Sequence, residues 1–254
     1  MSLRVPLVVF GLLFLPAPAF SQEGKKNDHA AIDKALKWPA KQGRRRPDDA
    51  VAEWLKTIGG IEGQTMVRDH NRPGSPIVEL DFIGFDLTDA DLKRLTGLRE
   101  LKEINLRYNS KVSDTGLKEL ARLENLEMLF LPGTAVTDKG LIELAPLKKL
   151  RTLGLLSVKV TDAGLKKLPH FKDLRYLSLS GTQVTDAGLP ALDRFEKLEV
   201  LSLSGTKVTD AGLPTLAKLK NLRELNLQLT DVSAAGVERL QKALPKCSIT
   251  YEVK

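Results

Sequence analysis

Cysteine is almost absent from this 254-residue chain: Cys247 is the only one, so no intramolecular disulfide can form and stability must come from packing. Aromatic residues are also scarce, at 5% against 42% hydrophobic overall, so any core must be aliphatic. No apolar run reaches the ~20 residues that a membrane-spanning helix needs. The longest apolar stretch, Val5 to Leu15, is closed by Pro16 and Pro18. With Arg4 before it and Ala17, Ala19 and Ser21 behind it, this stretch reads as an export signal cleaved after Ser21, giving a signal peptide over residues 1–21. No lipid-attachment cysteine lies beside it, and neither a disulfide-closed cap nor an Asn-x-Ser/Thr site is found, which points to a bacterial extracytoplasmic protein, periplasmic or secreted.

Arrangements that reactions require are missing as well. His29, His70 and His170 have no metal-ligand spacing, and there is no Gly-x-Ser-x-Gly elbow, phosphate-binding glycine loop or His-Glu-x-x-His. The densest carboxylate group, Asp81, Asp86, Asp89 and Asp91, offers weak calcium ligands at best, since Asp89 and Asp91 are better read as serving the first turn of a helix. The expectation is a non-enzyme with no metal and no cofactor. The formal charge of +7 is spread in pairs such as Lys148-Lys149 and Lys166-Lys167 without interleaved aromatics, which reads as a solvated face and argues against nucleic acid.

What the chain has in abundance is a repeat. Thr88-Asp89, Ser113-Asp114, Thr137-Asp138, Thr161-Asp162, Thr185-Asp186 and Thr209-Asp210 open near-identical segments, with Ser233-Ala234 as a degraded last copy. The spacing is 25 residues once and 24 thereafter, the extra residue falling in Arg107-Tyr108-Asn109-Ser110. Each copy carries a Leu-x-Leu pair, among them Ile104/Leu106, Leu129/Leu131, Leu153/Leu155 and Leu177/Leu179, whose period of two predicts a short strand with one buried face. Leu213-x-x-Leu216-x-x-Leu219 has helical spacing. At the junction, a Thr or Asp oxygen is placed to cap the first turn, and Pro190 and Pro214 fall where a lost N–H is tolerated. One unit cannot bury both faces alone, so neighbours must stack, giving a parallel sheet about 35 Å long at ~4.8 Å per step.

The pattern Leu-x-x-Leu-x-Leu-x-x-Thr-x-Val-Thr-Asp-x-Gly-Leu-x-x-Leu resembles leucine-rich repeats, in particular the cysteine-containing subclass found beside F-box modules, shortened by two residues. Thr134, Thr182, Thr206 and Thr230 stand where that subclass has its cysteine, each a hydroxyl suited to bonding nearby backbone. Combined with an export signal, the form is similar to repeat proteins of planctomycete-like bacteria. The resemblance covers about Ile77 to Lys254 and implies an α/β right-handed solenoid with its parallel sheet on the concave side and short helices on the convex side. It implies a binding surface as the function, with a protein or an envelope polymer as partner, and a monomer.

Residues 22–47, ending in Arg44-Arg45-Arg46, read as a flexible basic linker with room for a short helix over 30–38. Residues 48–76 read as an N-terminal cap: a helix through Ala50, Val51, Trp54, Leu55 and Ile58, a strand over 64–68 and a turn rich in Asn, Pro and Gly. Residues 77–254 hold the repeats and a closing strand. Outward positions beside each Leu-x-Leu divide into an acidic zone (Glu79, Asp81, Glu103), an apolar zone (Met128, Phe130, Leu156, Tyr176) and a hydroxyl-rich zone that begins at Ser178. Met128, Phe130 and Tyr176 are expected to be exposed anchors for a partner. Two further readings are weighed: an adaptor selecting substrates for a ubiquitin-ligase-type partner, which would need an F-box-like helical segment before the repeats, for which Asp48 to Ile58 is too short, and a binder of glycan or other envelope polymer.

Overall fold

A computed structural model describes residues 46–60 and 65–252. The expected signal peptide, nearly all of the basic linker and the short helix over 30–38 lie outside the described residues.

The chain opens with helix α1 (Pro47–Thr57), which starts on a proline and carries Asp48 and Asp49 in its first turn. Proline lacks only an N–H that the first turn leaves unpaired, and the two acids complement the positive end of the helix. Strand β1 (Met66–Arg68) runs antiparallel to β2 (Ile77–Asp81). Seven parallel strands follow, one per repeat: β3 (Glu103–Asn105), β4 (Met128–Phe130), β5 (Thr152–Gly154), β6 (Tyr176–Ser178), β7 (Val200–Ser202), β8 (Glu224–Asn226) and β9 (Ser248–Thr250). They form one open sheet in strict chain order. Three-residue strands are too short to persist alone, so each exists because its neighbours pair with it.

Register is what converts sequence repetition into geometry. Leu80, Ile104, Leu129, Leu153, Leu177, Leu201 and Leu225 pair rung by rung and are at most 1% exposed. A slip by one residue would turn this whole aliphatic column to solvent. The valines at 112, 136, 160, 184 and 208 form a second fully buried column beyond the turn. There the backbones touch again in single parallel bridges, such as Gln183 N–H donating to the Val160 carbonyl at 2.9 Å.

The side of each repeat away from the sheet closes with a helical turn or two, and their type varies. α2 (Asp89–Leu92), α3 (Asp114–Leu120), α4 (Asp162–Lys167), α5 (Leu213–Leu216) and α6 (Ala234–Ala243) are α-helical. Gly140–Leu144 and Leu189–Arg194 are 3₁₀ turns. With two dozen residues per repeat there is little chain for this side, and a 3₁₀ turn covers ~2.0 Å per residue against ~1.5 Å for an α-helix. At the N-terminal end α1 packs on the first repeat, with Trp54 and Phe82 rings 5.9 Å apart and both side chains buried.

Candidate functional site

The Thr-Asp-x-Gly segment does something the sequence did not reveal. The hydroxyl caps the helical turn as expected: Thr161 and Thr209 oxygens accept from Ala163 N–H and Ala211 N–H. The aspartate reaches forward into the next repeat instead. Asp138 accepts from the N–H (2.8 Å) and hydroxyl (2.5 Å) of Thr161, and Asp162 does the same for Thr185. The arrangement recurs from Asp89–Ser113 through Asp114–Thr137 and Asp186–Thr209 to Asp210–Ser233. The hydrogen bonds from Ser233 hold the Asp210 carboxyl below its ordinary range. Glycine is required because the space where its side chain would sit holds that carboxylate: a Cβ on Gly116 would lie 2.5 Å from Asp89 Oδ1. Ala234 replaces the aspartate in the last copy, so the ladder of staples ends there.

These bonds also dissolve the carboxylate group considered for calcium. Asp86 pairs with Lys111 at 2.6 Å, Asp89 staples Ser113, and Asp91 accepts from Thr88 in a capping box. Buried hydroxyls at Thr134, Thr182, Thr206 and Thr230 donate to the carbonyl three residues back at 2.5–2.7 Å, which is the structural role expected of them. In the longer repeat Asn109 fills that position, fully buried, its amide donating to the Phe82, Leu106 and Arg107 carbonyls while its oxygen accepts from Leu87 N–H.

With structure accounting for the repeated residues, the outer sheet face carries those that do not repeat. Parallel register sets them in continuous rows: Glu79, Glu103, Met128, Thr152, Tyr176, Val200, Glu224 in one, and Asp81, Asn105, Phe130, Gly154, Ser178, Ser202, Asn226 in the next. The acidic, apolar and hydroxyl zones are therefore true spatial neighbours.

The middle of this face is more covered than an exposed-anchor reading expects. Phe130 and Tyr176 are each 4% exposed, whereas Met128 and Leu156 are half-exposed. Gly154 explains part of this: a Cβ there would stand 3.0 Å from Phe130 Cδ1, so the missing side chain makes room for the ring to lie on the sheet. The Arg107 guanidinium covers it from the other side, 5.3 Å from the ring centroid. Tyr176 has its hydroxyl buried beside Ser178 without a hydrogen bond of acceptable geometry, and burial pushes the phenol well above its ordinary range. Further along, Ser180 and Ser202 hydroxyls meet at 2.6 Å, so the hydroxyl zone is internally bonded.

At the acidic end Glu79 is exposed, while Asp81 and Glu103 are half-buried. Burial, then repulsion from Glu79 and Asp81, raises Glu103 to about 7, with Arg107 opposing. Asp81 is raised too, by burial, against the Ile83 N–H that it accepts and the Arg107 charge. Burial in turn lowers Arg107 from its ordinary value. Cys247, whose thiol is pushed up to about 11 by burial and then by the Glu224 charge, sits at the C-terminal end, just before β9.

Two features of the turn after each strand escaped sequence reading. This position has positive φ in every repeat, and glycine occupies it at Gly84, Gly133, Gly181 and Gly205. Tyr108 (φ 62°) and Leu229 (φ 55°) hold the same conformation with large exposed side chains. Ser157 (φ 56°) stands in the third copy without glycine, and the absence of glycine at these three places among the repeats was the available signal.

A family model described as Leucine Rich repeat matches residues 98–121, 172–192, 196–217 and 218–240. Among solved structures, internalin C2 of Listeria monocytogenes is similar at 23% identity and a TM-score of 0.51, over 81% of this chain and 94% of that one. An internalin (inlF) of the same organism is 19% identical at a TM-score of 0.40, over 65% of this chain and 57% of that one. No curated protein sequence matches the chain significantly. The fold is thus a leucine-rich-repeat solenoid with an open parallel sheet on its concave side. Neither the cysteine-containing subclass nor the planctomycete-like form is part of what these likenesses establish.

Proposed function

We propose that this leucine-rich-repeat solenoid is a non-catalytic, extracytoplasmic interaction module of a bacterial envelope, holding a partner protein on its concave sheet face. One observation carries the reading: interior positions repeat almost without change, while the outward rows on the same strands differ at nearly every rung. Packing fixes the first set and leaves the second free for recognition. The N-terminal signal-like sequence favours export, and no helix among the described residues is long and apolar enough to cross a membrane.

Within the concave face, Met128 and Leu156 supply the accessible apolar contacts, and the covered rings of Phe130 and Tyr176 lie on β4 and β6, the strands flanking β5 in the same sheet. Glu79, Asp81 and Glu103 lie to one side and Ser178 to the other. A residue 22–254 form used for affinity capture from the native envelope should recover one polypeptide repeatedly, as identified by mass spectrometry. Recovery should be lost with Met128→Asp and Leu156→Asp. Capture indifferent to those changes would reject the concave assignment, and recovery of polysaccharide alone would replace a protein partner with a glycan.

A further inference from the structure

We propose that the acidic end of the concave face receives a lysine or arginine from an extended segment of the partner polypeptide. The partner's cation lies among Glu79, Asp81 and Glu103, and a main-chain carbonyl of the same segment accepts from Arg107. This deepens the reading that the concave face binds a protein, and rests on it.

Charge complementarity is the first argument. Glu79 and Glu103 are register partners on adjacent strands, and Asp81 is the next outward residue on β2. Among the described residues none of the three carboxylates has an ion pair, and the only hydrogen bond that any of them accepts is from Ile83 N–H to Asp81. Most carboxylates elsewhere in the array are engaged, in the staples or with cations such as Lys111 and Lys197, and the others without a partner, such as Glu143 and Glu224, stand singly and not as a group of three. A local excess of negative charge on a chain of net charge +7 is therefore a feature of this face and not of the molecule.

Arg107 is an independent argument. Its side chain belongs to a residue only 7% exposed, lies on the Phe130 ring, and makes no hydrogen bond or ion pair among the described residues. Asp81 and Glu103 act on it through space, at more than ion-pair distance. A guanidinium has five donors, and none of the Arg107 nitrogens is fully shut off from solvent, so they stand open to an acceptor that a partner brings. A partner carboxylate would meet the three acids, so a neutral carbonyl suits the place better. The methylenes of a lysine or arginine would then rest along Met128 and Phe130, with the charge beyond them.

A metal ion fits less well. Hard cations want several converging oxygens, and among the described residues no group of acids is placed to supply them. An ammonium or guanidinium accepts a more open arrangement.

The same geometry makes capture depend on pH. Glu103 is faced by Glu79 and Asp81 from β2 and by Arg107 from its own strand end, while β4 presents the uncharged Met128. Free Glu103 titrates at about 7. A bound cation favours the carboxylate, so binding releases a proton and weakens about ten-fold between pH 8 and pH 6.

The test uses the full chain immobilised against blocked extended nonapeptides identical except for a central Lys, Arg, norleucine or Glu. Lys and Arg peptides should bind at least ten-fold more tightly than norleucine at pH 8, with the Glu peptide weakest. Glu79→Gln with Glu103→Gln should remove that preference, the fold being checked by circular dichroism. Arg107→Gln should weaken Lys and norleucine peptides alike. Equal binding of the four peptides, no binding by any, or a preference that survives the double substitution would overturn the proposal. So would displacement of the Lys peptide by calcium chloride alone. Absence of any charge preference in the unsubstituted chain, with capture still dependent on Met128 and Leu156, would refute this inference and leave the interaction module standing.

Discussion

Replacing Asp89 and Gly116 by alanine, singly and together, isolates the staple between repeats. The Asp89 carboxylate accepts from Ser113 N–H at 2.8 Å and from its hydroxyl at 2.6 Å. Hydrogen bonds to a charged group are worth ~1.5–3 kcal/mol each when buried, and the half-exposed setting brings the expected loss for Asp89→Ala to about 2–3 kcal/mol for the pair. An alanine Cβ at Gly116 would lie 2.5 Å from that carboxylate oxygen and 2.8 Å from Leu92 Cδ1, both side-chain atoms. Gly116→Ala therefore expels the carboxylate at similar cost. It regains up to ~1 kcal/mol because alanine is the better helix residue, for a net loss of about 1–2 kcal/mol. Since both substitutions act on one carboxylate, the double variant should be about as stable as Asp89→Ala alone, a coupling of ~1–2 kcal/mol. Urea unfolding followed by far-ultraviolet circular dichroism measures all four corners of the cycle. Additive losses would show that glycine and aspartate are unrelated, and the staple would not explain why the two recur together.

Glu103→Gln should change stability in a pH-dependent way. A carboxyl whose folded pKa is raised contributes stability below its unfolded value and loses it as pH rises through about 7. Allowing for its partial exposure, the glutamine variant should be more stable than wild type by ~1–2 kcal/mol near pH 8, the difference vanishing near pH 4; thermal midpoints at the two pH values check it. Phe130→Ala removes a ring that is 4% exposed and leaves Arg107 without its platform, so a loss of about 3 kcal/mol is expected in chemical denaturation. Leu229→Gly should raise the thermal midpoint, with a gain of up to ~1 kcal/mol, because the leucine holds φ 55° while 65% exposed. A loss there would mean that Leu229 makes a contact worth more than its strain.

Much of this was legible in the sequence because the fold is built from short-range periodicity. Leu-x-Leu alternation located the strands, and constant spacing implied that each pairs with the next, so the rows of outward residues followed by counting. Pro190 and Pro214 sit at the start of the turns they were assigned to. What counting does not supply is direction. Asp138 precedes its own helical turn, and local capping chemistry accounts for it well, yet its carboxylate bonds Thr161 in the next repeat because stacking brings that N–H closer.

Exposure was decided in the same way. Nothing in Phe130 itself says that its ring is covered; the glycine a repeat later and the arginine a repeat earlier do that, and they meet only once strands 24 or 25 residues apart lie side by side. Thus the chain alone determined the architecture, through a pattern any single copy displays. The tertiary structure decided which side chains are bonded, buried or left without partners, since those properties belong to neighbouring copies together.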